Sequence, residues 1–195
     1  MRSVYDHEHA KDRALLVVAL ATAGCQAWTG VSGPARLDED GGRGTEGTSA
    51  IYAAVIRQLL TKDAYLLEGR PFERVFVVRT EGDPSVGTES PLRPFSSAVE
   101  RAILAALRDL PPVRFVADLD TAVVNEKSCR GLGVTRGGVL VSLGPITEAR
   151  GEAVTVASFL VSGCLGKNGQ WLTYVLEPRD SGWRVVGTKG PVAIS

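Results

Sequence analysis

Histidine is nearly absent from this chain. His7 and His9 are the only two, and both precede the first apolar run. A polypeptide that begins at Cys25 would contain no imidazole. It could build neither a Ser-His-Asp nor a Cys-His catalytic unit. It would also lack the histidines of metalloprotease and facial-triad metal sites. With Cys25 set aside, two cysteines far apart in sequence, Cys129 and Cys164, do not make a zinc site. No catalytic residue, metal or cofactor is therefore expected. Excess charge is absent too: 22 basic residues balance 22 acidic ones, which argues against a nucleic-acid surface. No apolar run approaches the ~20 residues of a membrane-spanning helix. Phosphate loops fail as well. Gly131-Leu132-Gly133 begins like a dinucleotide fingerprint, but Arg136 stands where its third glycine belongs. Gly166-Lys167 lacks both the upstream glycine and the following Ser or Thr of a P-loop. What remains is an ordinary globular composition of a length suited to one domain with appendages.

The first organised stretch is Arg-Ala-Leu-Leu-Val-Val-Ala-Leu-Ala-Thr-Ala-Gly-Cys at residues 13–25. An apolar run of signal-peptide length ends in small residues and a cysteine. It resembles a bacterial lipobox at Ala23-Gly24-Cys25, with Thr22 in place of the usual Leu. The expectation is a removed leader over residues 1–24 and lipidation at Cys25 on the outer face of the cell membrane; the alternatives are an ordinary signal peptide, which would leave the protein secreted, or a short buried helix. Residues 25–47 are rich in Gly and charged or hydroxylated side chains. They cannot repay the entropy of ordering, and they read as a flexible tether.

Residues 48–195 form the expected single domain. Ile51, Tyr52, Val55, Ile56, Leu59 and Leu60 recur at helical spacing, predicting a helix over 48–62 capped by Thr48 or Ser49. Residues 75–79 read as a buried strand and 80–94 as a loop. Ser97 and Glu100 fit a capping box for a second helix running to about Asp109, with Val99, Ile103, Ala106, Leu107 and Leu110 as its apolar stripe. Pro111-Pro112 stops it. A strand is expected at 113–117, a Gly-rich loop at 125–136, then strands at 139–143, 153–160, 171–176 and 183–186. The last two make a hairpin about the turn Pro178-Arg179-Asp180-Ser181-Gly182. Both faces of 171–177 are partly apolar, so that strand belongs inside the sheet. The fold class is α+β: two helices packed on a curved, mainly antiparallel sheet ending in the C-terminal hairpin.

The segments Gly-Gly-Val-Leu-Val-Ser-Leu-Gly-Pro-Ile, Trp-Leu-Thr-Tyr-Val-Leu-Glu, Gly-Trp-Arg-Val and terminal Gly-Pro-Val-Ala-Ile-Ser resemble those of an uncharacterised family of exported bacterial proteins and lipoproteins. The likeness covers residues 49–195 and implies kinship without an activity. Such relatives carry a Cys-Gly-Gly-Leu-Cys-Gly turn where this chain has Gly163-Cys164-Leu165-Gly166, so a disulfide inside the turn is excluded. With Cys25 lipidated, Cys129 and Cys164 remain as an even pair. They are either bridged, closing a loop of about 35 residues worth roughly 3–4 kcal/mol, or two free thiols.

Two further groups carry chemistry. Asp118 and Asp120 lie on one side of an extended segment and could hold a hard cation or share a proton. Arg114, Arg136 and Arg184 would make an anion site if they converged. Three functions follow. The first is a lipid-anchored envelope module that binds another envelope protein or a small ligand. The second is an enzyme with a ketosteroid-isomerase-like pocket and an Asp or Glu base. The third is a cytosolic protein that retains its N-terminal helix.

Overall fold

The computed structural model describes residues 44–67, 71–81, 93–117, 119–129, 131–165, 167, 169–190 and 193–194. The expected leader, Cys25 and most of the tether lie outside the described residues. Helix α1 spans Thr45–Thr61. Its apolar residues Ile51, Tyr52, Val55, Ile56, Leu59 and Leu60 are all buried, each contributing roughly 1.5–3 kcal/mol before entropy. The helix begins three residues earlier than the sequence suggested. Gly44 occupies the cap position without a side-chain bond, so neither Thr48 nor Ser49 caps it. Ser49 Oγ instead donates back to the Glu46 carbonyl inside the first turn. Residues 45–47, assigned to the tether by composition, belong to the domain.

Helix α2 spans Ser97–Ala106, and its cap is Ser96, whose Oγ accepts from the Val99 N–H at 3.2 Å. The capping box expected at Ser97 and Glu100 does not form. Phe95, buried against Tyr52 and Phe115 and bonded through its N–H to the Arg79 carbonyl, sets where the helix starts. Glu100 then faces Arg79, whose Nε lies 2.7 Å from its Oε1. Val99, Ile103 and Leu107 are buried as expected, whereas Ala106 is exposed and the regular helix ends there.

The strands are β1 (Arg74–Glu81), β2 (Arg93–Pro94), β3 (Val113–Val116), β4 (Val123–Glu126), β5 (Gly131–Val134), β6 (Gly138–Leu143), β7 (Thr147–Glu148), β8 (Val154–Ser162), β9 (Gly169–Arg179), β10 (Gly182–Thr188) and β11 (Ala193–Ile194). Among the described residues the main sheet runs β10-β9-β8-β6-β1, with β2 and β3 beyond β1, β7 on β8 and β11 on β9. The half from β6 to β10 is the antiparallel meander read from the sequence. The other half is not: β1 pairs in parallel with both β3 and β6. Helix α2 provides the crossover that parallel neighbours require. The fold is α+β, with both helices on one face and the hairpin β9–β10 at the C-terminal edge.

The main core lies under the helices. Val75, Val77, Val139, Val141, Leu143, Leu172, Tyr174 and Leu176 point into it from the strands. A second cluster covers the opposite face around Phe76, Leu140 and Val161, sealed by Val123 and Val134. These last two come from β4 and β5, which pair as an antiparallel hairpin where the sequence suggested a loop. The glycines and charges of residues 125–136 hid it. Its inward side presents few apolar residues, and it is held by covalent chemistry. The sulfurs of Cys129 and Cys164 are bonded, with Cα atoms 5.1 Å apart. Main-chain bonds from Val134 to Gly163 and from Leu165 to Leu132 reinforce the link. Gly137, at φ +72, makes the turn into β6 in a conformation that side chains disfavour.

Strand β9 sits between β8 and β10, as its two-faced apolarity suggested. Leu172, Tyr174 and Leu176 are buried under the helices, while Trp171, Thr173 and Val175 are half-buried on the other face. Trp171 stacks on Phe159 at 4.4 Å. Gly169 is required beneath that pair, because a Cβ there would lie 2.6 Å from the Phe159 ring.

The helices are tied to each other by Arg57, which donates to both carboxylate oxygens of Asp109 at 2.6 and 2.7 Å and to the Ala106 carbonyl. These hydrogen bonds lower the Asp109 pKa to about 2. A carboxyl held below its unfolded value contributes stability above about pH 4, and the contribution is lost as pH falls toward the folded value. The contribution is small, because both side chains are exposed and screened. In Asp109→Asn, the urea midpoint should lose part of its fall between about pH 5 and about pH 2.5. An unchanged pH profile would show that the pair contributes nothing.

Candidate functional site

The C-terminal end of α1 and strand β10 leave a groove of about 460 Å³ between them, open to solvent. Its position follows from the chain. The apolar periodicity of α1 ends at Leu60, and the polar run Thr61-Lys62-Asp63 follows it. The helix is closed by Lys62 and Asp63, whose N–H groups both donate to the Gln58 carbonyl. That turn aims Asp63 at the sheet.

A polar network anchors one side of the groove. The Tyr174 hydroxyl donates to Asp63 Oδ2 at 3.0 Å, and Gln58 Nε2 donates to the same oxygen at 3.1 Å. Fully buried Gln170 donates through Nε2 to the Asp63 main-chain carbonyl. Burial, and then the negative charge of Asp63, push the Tyr174 phenol far above its ordinary value. A phenol so disposed keeps its proton at neutral pH and is no general base. The network fixes the turn after α1 against β9 and supplies polarity.

The rim carries cations and apolar surface. Arg57, Lys62 and Arg184 line the groove, and the charge of Arg57 is neutralised by Asp109. Two large apolar side chains stand out at its edges, Tyr65 at 55% exposure and Val186 at 44%. Trp183 is half-buried there, packed against the main core. Such a surface, part polar and part apolar, can bind an amphipathic partner. It presents no positioned nucleophile–base pair.

The residues singled out from sequence do not meet here. Cys129 and Cys164 lie in the disulfide beneath the second cluster. Asp118 is outside the described residues, and Asp120 is exposed in a short turn. Arg114, on β3, and Arg184, on β10, sit toward opposite ends of the sheet, and Arg136 lies in the β5–β6 turn. These arginines form no anion ring. Gly131-Leu132-Gly133 lies within β5 rather than in a loop opening a helix, so it makes no phosphate site. Tyr52 fills the core, its hydroxyl bonded to the Gly144 carbonyl.

An isomerase-like pocket would require a buried acid. Among the described residues the buried polar side chains are Ser49, Ser158 and Gln170, with no carboxylate. No group of His, Cys, Asp and Glu fit to hold a metal occurs among the described residues. Sequence reasoning missed Gln58, Lys62, Asp63 and Gln170. The available signal was a polar run directly after an apolar helix stripe. Nothing in the sequence joins Asp63 to partners 107 and 111 positions away. No family model, curated protein or solved structure matches the chain.

Proposed function

We propose that the chain is an exported, lipid-anchored protein of the bacterial cell envelope, kin to the exported family it resembles, whose domain binds a partner rather than performing catalysis. The Cys129–Cys164 disulfide carries this reading. Disulfides persist in oxidising compartments and are rare in a reducing cytosol. The lipobox-like Ala23-Gly24-Cys25 and the Gly-rich segment after it supply an anchor and a tether. The histidine-free sequence after His9 narrows the available catalytic chemistry. The open groove beside β10 offers a binding surface.

Metabolic labelling with a fatty-acid probe in the native cell tests the anchor. The mature protein should carry the label and fractionate with membranes, and Cys25→Ser should abolish the label and release the protein from them. An unlabelled protein that retains residues 1–24 by intact mass would overturn the reading.

A further inference from the structure

We infer that the groove between the end of α1 and β10 is a site for an alkylammonium group, whose charge sits against the Asp63 carboxylate and whose apolar stem lies along Tyr65. The inference deepens the binding-module reading above and names the chemistry of the ligand, which a free amine and a lysine side chain share.

The carboxylate is already held in place. Asp63 lines the groove and is half-buried. Its two oxygens are in different situations. Oδ2 accepts from the Tyr174 hydroxyl and from Gln58 Nε2, whereas Oδ1 accepts no hydrogen bond among the described residues. The one buried side-chain polar atom without a partner among those residues is Trp171 Nε1, so Asp63 Oδ1 is within reach of solvent. Gln170 holds the main-chain carbonyl of the same residue. An ammonium donating to Oδ1 therefore meets an acceptor whose ordering cost was met on folding.

The surrounding charge has the matching sign. Asp63 follows the C-terminal, negative end of α1, whose last turn contains no basic side chain. Of the last carbonyls of α1, only that of Gln58 accepts main-chain N–H groups from the described residues beyond the helix. Among the cations lining the groove, Arg57 is neutralised by Asp109. Arg184 stands opposite Glu177, on the face of the sheet away from α1. Lys62 adds like charge, but it is exposed, where water weakens the repulsion.

An aromatic side chain is fixed beside the carboxylate. The Tyr65 N–H donates to the Asp63 carbonyl at 2.8 Å, and Leu67, two residues on, is buried in the main core. The Tyr65 side chain lines the groove and is 55% exposed. Its ring attracts an ammonium by its quadrupole and covers a hydrocarbon stem by area. Val186, at the bulge between Val185 and Gly187, adds apolar surface to the same groove. A volume of about 460 Å³ suits a small ligand.

The test titrates the isotope-labelled full chain, at low salt, with pentylammonium, pentanol and pentanoate, which share a stem and differ in charge. Pentylammonium should shift the amides of residues 61–65 and 183–188 with a Kd of roughly 1 mM, as befits an open groove. Pentanol should bind roughly fivefold more weakly, and pentanoate should not bind. Asp63→Asn should weaken pentylammonium roughly fivefold, and Tyr65→Ala about threefold. Lys62→Met should tighten it about twofold, and added salt should weaken it. Unchanged hydrogen exchange in β8 and β9 certifies the fold of each variant. Should Asp63→Asn fail that check, the charge series and Lys62→Met decide alone. A blocked lysine tripeptide distinguishes the sources: tighter binding than pentylammonium assigns the site to a protein lysine, weaker binding to a free amine. Four results would overturn the inference: no saturable shift with pentylammonium, pentanol or pentanoate binding equally well, shifts confined to residues outside the groove, or weaker binding by Lys62→Met. Any of these alongside intact lipid labelling at Cys25 would remove the ammonium site and leave the envelope reading standing.

Discussion

Replacing Tyr174 with alanine should lower the free energy of unfolding by about 3–5 kcal/mol, and replacing it with phenylalanine by about 1–2 kcal/mol. The two numbers separate two jobs. The ring is among the largest fully buried side chains, lying in the main core between Leu172 and Leu176 on β9. Removing it leaves a cavity in a region where α1, β8 and β9 are already in contact, so collapse is limited. The hydroxyl does less. It supplies one of two donors to Asp63 Oδ2, and its loss leaves Gln58 in place. Denaturant unfolding at neutral pH measures both. A second readout tests the connection to the groove. In Tyr174→Phe the amides of residues 62–65 should exchange faster while those of β8 stay protected. If phenylalanine costs as much as alanine, the hydrogen bond dominates and the packing account fails. If it costs nothing and residues 62–65 are unaffected, Asp63 is not held by Tyr174.

The elements that packing alone dictates were legible in the sequence. The stripe from Ile51 to Leu60 marks α1, and the alternation from Trp171 to Leu176 marks an interior strand, because one buried face imposes one period. The end of the turn was displaced for a related reason. Strands β9 and β10 extend to Arg179 and restart at Gly182, leaving only Asp180 and Ser181 between them. The Pro178 and Arg179 read as turn residues belong to the ladder. Two features were hidden. The parallel pairing of β1 with β3 and β6 depends on which face α2 crosses, which local composition does not encode. The hairpin β4–β5 was masked because Asn125, Glu126, Lys127 and the glycines Gly131 and Gly133 read as a loop. Its stability comes from residues distant in sequence: Val123 and Val134 reach Phe76, Leu140 and Val161 across the sheet. The groove was illegible for the same reason. It is the gap left where a helix end meets a sheet edge, and its polar network closes between Asp63 and residues more than a hundred positions downstream.

Loss of the disulfide should be felt first in that hidden hairpin. The double variant Cys129→Ser/Cys164→Ser should unfold with about 3–4 kcal/mol less free energy, because the bridge closes a loop of 35 residues in the unfolded chain. For a domain of this size that corresponds to a fall in Tm of roughly 10 °C. The global figure belongs to the unfolded ensemble, but a local consequence belongs to the native fold. Without the bridge, β5 is held to the β8–β9 connection by the main-chain bonds Val134 to Gly163 and Leu165 to Leu132, and by Val123 and Val134 on the second cluster. Those contacts are few beside the ladders joining β6, β8 and β9. Amides of residues 123–134 should therefore lose protection, and limited proteolysis should begin there, while β8 and β9 exchange only through global unfolding. Reducing the wild-type protein should reproduce both effects. Equal loss of protection across the whole sheet would show that the hairpin and the main core unfold as one unit. A shift below about 1 kcal/mol would show that the unfolded chain already keeps Cys129 near Cys164, contrary to the entropic account.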